Sequence, residues 1–100
     1  MLTIIGIAAI IAVGINQAMK QKQRKRLRTM PYREYLQTME WQQRAHKARV
    51  RAKFRCENPE CRSQARLDVH HLTYERRGAE RPSDLMALCR PCHEKQHQKS

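Results

Sequence analysis

Acidic residues are scarcest where basic ones are densest. Residues 20–55 hold 13 Lys and Arg but only two carboxylates, Glu34 and Glu40, a net of +11. Residues 56–100 hold eight basic and seven acidic residues, a net of +1. Most of the formal charge of +12 therefore lies in the first half, which points to nucleic acid or an anionic lipid surface as its partner. No base-reading motif accompanies it, so recognition rests on phosphate contacts and is expected to be salt-sensitive. There is no fifth cysteine, and no internal repeat. One hundred residues exclude more than one small domain, whose core is marginal without a staple.

No Lys or Arg precedes the apolar run Leu2–Ile15, which argues against a cleaved secretory signal. Counted to Met19 the run is 18 residues. As a helix it reaches about 27 Å, against a hydrocarbon core of about 30 Å. Lys20, Lys22, Arg24, Lys25, Arg26 and Arg28 follow at once. Residues 1–19 are therefore expected to form a single-pass anchor, N-out and C-in, with residues 20–31 as a basic linker. That orientation places the remainder at the cytoplasmic face of the membrane; without the anchor the protein is expected in the cytoplasm. The alternative is an extension upstream of a true start at Met19 or Met30.

What the chain does have is concentrated between Cys56 and His97. All four cysteines and four of the five histidines fall in these 42 residues. The pairs Cys56/Cys61 and Cys89/Cys92 have the spacing of two loops that close a tetrahedral zinc site. Two disulfides are the competing reading. Against it stand the tight Cys89-x-x-Cys92 knuckle and the histidines beside it. Such a zinc can contribute on the order of 10 kcal/mol to the folding of a small domain.

His93 and His97 lie on one face of a helix that Pro91 begins, close enough to share a metal ion or a phosphate. Leu67-Asp68-Val69-His70 alternates as a half-buried strand, so His70 and His71 point to opposite sides unless the strand ends or bulges between them. Leu72-Thr73-Tyr74 is expected to form a short second strand, with Arg77-Gly78-Ala79 at the loop tip. Leu85, Met86 and Leu88 are the expected core under the metal sites. Upstream, Pro31 opens a helix over 32–55 whose stripe is Tyr32, Tyr35, Leu36, Met39, Gln43, His46, Val50 and Phe54. His46 is read as a partly buried core residue, and Trp41 as a cover at the module's edge.

The order Cys-x4-Cys, His-His, Asp-Leu, Cys-x2-Cys-His-x3-His resembles the cysteine-containing HNH endonucleases, strongly over 56–97 and more weakly over 32–54. The resemblance implies an α+β fold: a small ββα-metal (HNH) module with structural zinc, preceded by a basic helix and an N-terminal apolar helix. The domain would run from 32 to 100, with its core at 56–97. By the same resemblance His70, His93 and His97 hold the catalytic metal and His71 is the general base. Asp84 stands where the family has Asn. It can accept hydrogen bonds as Asn does but cannot donate them, and an Asx turn or helix cap is an equal alternative.

The implied function is metal-dependent hydrolysis of DNA phosphodiester bonds with Mg2+, Mn2+, Ni2+ or Zn2+, structural Zn2+ on the four cysteines, and a neutral imidazole as base. Arg49, Arg51, Lys53, Arg76 and Arg77 are the expected nucleic-acid contacts, and residues 2–19 the expected membrane contact. The competing function is a noncatalytic, membrane-associated zinc module that binds nucleic acid.

Overall fold

A computed structural model describes the backbone of residues 4–99 and the side chains of residues 14–98. The first element, α1 (Ile4–Thr29), is one 26-residue helix. It carries the apolar segment straight into the basic cluster, so residues 20–29 are helix where a linker was expected. Arg26 and Arg28 in the last turn suit its negative end, and the helix stops ahead of Pro31, which disfavours helical geometry at Met30. Among the described residues no helix is long and apolar enough to cross a membrane. The side chains of residues 1–13, where most of the expected anchor falls, lie outside them.

The helix expected over 32–55 is broken. A single turn, α2 (Tyr32–Tyr35), precedes α3 (Met39–Arg51). Thr38 makes the break: it is extended, its hydroxyl accepts the Trp41 amide at 3.2 Å, and it donates to the Tyr35 carbonyl at 2.7 Å. Such a cap is worth about 1 kcal/mol.

The buried face of α3 also differs from the expected stripe. Trp41, Ala45 and Ala48 turn inward, with Ala52 just past the helix end, while Met39, Val50, Phe54 and His46 are exposed. Small alanines let the helix approach the sheet, and Trp41 fills the core rather than an edge.

The sheet is an antiparallel pair, β1 (Leu67–His71) and β2 (Leu85–Cys89), with His71 opposite Leu85 and Leu67 opposite Cys89. The second strand is therefore not Leu72-Thr73-Tyr74, which begins the connection that ends in a 3-10 turn at Pro82–Asp84. Leu85 and Leu88 are buried as expected and Met86 partly so. The last helix, α4 (Arg90–Lys99), packs on the sheet opposite α3, and both helices contact both strands. The result is a small α+β fold with a two-stranded sheet between helices.

The long connection meets α1. Leu27 is buried against it, and Gly78 has φ +90; a Cβ there would stand 2.8 Å from the Leu27 Cβ, so only glycine fits. Arg77 donates to the Arg28 and Met30 carbonyls, where the end of α1 has no amides left to satisfy them. Its guanidinium also lies 5.7 Å from the Tyr35 ring centroid.

Candidate functional site

Two ligand clusters form around the sheet. The turn after α3 carries Cys56 and Cys61, closed by the Cys56 amide on the Ser63 carbonyl (2.8 Å) and the Cys61 amide on Asn58 (3.0 Å). The end of β2 and the first turn of α4 carry Cys89 and Cys92. One sulfur from each lies within 4.8 Å of the others, and all four are free thiols, which removes the disulfide alternative. The Cys61 and Cys89 sulfurs are 3.7 Å apart. Tetrahedral zinc with bonds of about 2.3 Å needs edges of about 3.8 Å, so the residues fit that ion. Asn58 donates to the Cys92 sulfur at 3.4 Å and, with Cys89 next, lowers that thiol to about 7.

The second cluster is His70, His93 and His97, also within 4.8 Å of one another. His93 and His97 present Nε2 atoms 2.9 Å apart, near the separation of neighbouring ligands on one ion with bonds of about 2.0–2.1 Å. Asp68 Oδ2 accepts His93 Nδ1 at 3.1 Å, which leaves Nε2 as the lone-pair nitrogen. Arg90 Nε donates to the same oxygen at 2.9 Å. Strand alternation puts Asp68 on the face of His70, the signal by which sequence could have found it. Burial lowers the pKa of His70, and the charges of His93, His97 and His71 lower it further, which favours the neutral ring a metal requires. Its buried Nδ1 has no hydrogen-bond partner among the described residues. The set thus fits a divalent cation.

His71 faces the other way. Its side chain is fully buried, stacked between Trp41 (centroids 4.5 Å) and Tyr74 (5.1 Å). Its Nε2 lies 2.6 Å from Glu80 Oε2, and its Nδ1 lies 3.1 Å from the Tyr32 hydroxyl. Burial alone would raise Glu80, yet hydrogen bonds from His71 and Tyr35 hold it below its ordinary value. An ionised Glu80 must accept from His71 Nε2–H, so a neutral ring accepts from Tyr32 through Nδ1. Glu80 also accepts from Tyr35 (2.6 Å) and the Gly78 amide (3.1 Å), with Arg44 at 3.6 Å. Sequence reasoning missed Glu80 because its partners come from β1, α2 and α3, and no local spacing joins them.

Asp84 is buried and touches neither cluster's donor set. It accepts Arg76 through both carboxylate oxygens and the Arg81 amide at 2.9 Å, capping the 3-10 turn. Arg76 and then the Arg81 amide lower it to about 2. Its carbonyl accepts the amide of Leu72, the residue after His71.

Of the five expected nucleic-acid contacts, four make structural bonds. Arg49 donates to Leu67 O (3.0 Å), Arg51 to Leu85 O (2.9 Å), Arg76 to Asp84, and Arg77 to the end of α1. Lys53 is exposed at positive φ just past α3.

Comparison with curated proteins and with solved structures returned no match. A family model described as HNH endonuclease matches residues 55–99, the stretch that supplies both ligand clusters and both strands. Residues 55–99 of this chain are therefore similar to the HNH endonuclease family.

Proposed function

We propose that the protein is a metal-dependent endonuclease that hydrolyses DNA phosphodiester bonds at His70, His93 and His97, with structural zinc on Cys56, Cys61, Cys89 and Cys92. The observation that carries this is the convergence of three histidines, one with an unpartnered buried nitrogen and one oriented by Asp68. A divalent ion there would supply Lewis-acid stabilisation of charge on the phosphate and leaving oxygen. Asp68 holds Arg90 beside the trio, where its guanidinium can grip a phosphate oxygen.

His71 is the proposed base. Glu80 fixes its proton on Nε2 and leaves the lone pair on Nδ1, the arrangement of an oriented base. Tyr32 covers that nitrogen, so water reaches it only when the hydroxyl gives way. Asp84, through the Leu72 amide and Arg76, fixes the segment that follows His71. Attachment to a membrane through residues 2–19 belongs to the same proposal, as does a place at its cytoplasmic face.

The burial of His71 behind the sheet is also what favours the second reading, a noncatalytic zinc module that binds nucleic acid. Plasmid nicking with added Mg2+, Mn2+, Ni2+ or Zn2+ separates the two. Metal-dependent nicking lost in His93→Ala supports the nuclease. Tight DNA binding with no nicking under any metal selects the binding module.

A further inference from the structure

Two cavities adjoin on the α3 side of the sheet, away from the histidine trio. One, of about 390 Å³, has Arg44, Lys47 and Arg51 over a floor of Ala48, Pro82 and Leu85. The other, of about 460 Å³, has Lys20, Arg24 and Arg44 beside Met19 and Leu27. Arg44 lines both, so they form one groove between α1 and α3.

Helix periodicity makes the groove cationic. Lys20 and Arg24 are four apart on α1, on the face that continues to buried Leu27. Arg44, Lys47 and Arg51 follow at three and four residues on α3. Five cations thus meet two lining carboxylates, and both of these are engaged: Glu40 pairs with Arg26 at 3.5 Å, and Glu80 with His71 and Tyr35. Arg44 and Arg51 partly serve the fold. Lys20, Arg24 and Lys47 make no ion pair among the described residues.

We infer that this groove holds a nucleic-acid strand by its phosphates, at a place separate from the histidine trio; the inference rests on the nuclease reading for the identity of its partner. The cations of α3 span about 10 Å, which covers about three phosphates at 3.4 Å of axial spacing per strand. The walls come from two helices and the segment leading into β2, with an apolar floor. That concave shape suits one sugar-phosphate backbone laid along the cations more than a flat layer of lipid headgroups.

The test is the full-length triple variant Lys20→Gln, Arg24→Gln, Lys47→Gln, compared with the wild type on a labelled 20-base-pair duplex over a range of salt. The expected result is at least tenfold weaker binding at low salt, and a slope of log K against log salt reduced by about two to three units. Melting temperature and turnover of bis(p-nitrophenyl) phosphate stay unchanged. Unaltered duplex affinity and slope would overturn the inference. So would loss of binding to phosphatidylglycerol vesicles with duplex affinity intact, which assigns the groove to lipid. If the wild type fails to hydrolyse the small ester, the nuclease reading alone falls, because the duplex comparison does not depend on turnover.

Discussion

His70 and His71 are consecutive on β1 and face opposite layers of the protein, His70 toward His93 and His97 on α4 and His71 toward Trp41 on α3. Strand geometry alone enforces this, since successive side chains alternate and the strand runs regularly through both residues. Mutating either one is therefore expected to have a different physical consequence.

His71→Ala leaves a void between Trp41 and Tyr74 and deprives the buried Glu80 carboxylate of one of its two closest partners. A loss of about 3 kcal/mol is expected, read as a lower midpoint in denaturant. His71→Gln, able to donate to Glu80, is expected to recover much of that stability while cleavage stays abolished. Cleavage at the wild-type rate by His71→Gln would remove His71 from the chemistry.

His93→Ala and His97→Ala are expected to abolish nicking with little change in melting temperature, and excess metal should partly restore it. Asp68→Asn should weaken metal binding about 10- to 100-fold through loss of the oriented His93 ring. Calorimetric titration with Mn2+ or Ni2+ checks both, and unchanged affinity in Asp68→Asn would separate Asp68 from the metal.

Zinc analysis of the purified protein should find about one tightly held ion, and Cys89→Ser should lower the melting temperature sharply. Full stability after chelation would exclude a structural metal at the four thiols.

Two acid transitions are expected. His70 has a lowered pKa, so the folded state binds fewer protons than the unfolded chain as pH falls below about 6.5, and both stability and metal affinity decline there. Asp84 is lowered to about 2 by Arg76 and the Arg81 amide; its contribution is complete above about pH 4 and is lost as pH falls through 2. Circular dichroism from pH 8 to pH 2 should therefore separate the two ranges. Glu80, also held below its ordinary value, contributes to the lower range, so Arg76→Ala should diminish that range and leave the upper one.

Membrane fractionation tests the N-terminal segment. Full-length protein should resist carbonate extraction, and a chain beginning at Lys20 should be soluble and folded. A chain beginning at Met30 should be destabilised, because it lacks the buried Leu27 and the carbonyl of Arg28 that Arg77 engages.

The two ligand clusters were legible in the sequence because each is built from short spacings, Cys-x4-Cys, Cys-x2-Cys and His-x3-His, whose geometry is local. The alternation of β1 left two courses open, divergence of His70 and His71 or a break in the strand between them, and the regular strand takes the first. The choice of β2 was not legible: Leu72-Thr73-Tyr74 has strand-like residues, but the pairing that wins brings Leu85 and Ala87 onto the core and Cys89 onto the other thiols. The α3 face was misleading for a related reason. Periodicity of large apolar residues favoured Met39, Val50 and Phe54, whereas close packing on a sheet selects alanine. Glu80 was silent, since a lone glutamate becomes a buried acceptor only when three distant elements deliver its donors.

The unbroken course of α1 fixes a distance as well as a direction. With about 1.5 Å of rise per residue, Gly14 stands roughly 20 Å from Leu27, which is locked into the domain against Gly78. The helix is a strut rather than a tether: whatever its N-terminal half engages is held at a set standoff from the sheet and on one side of it.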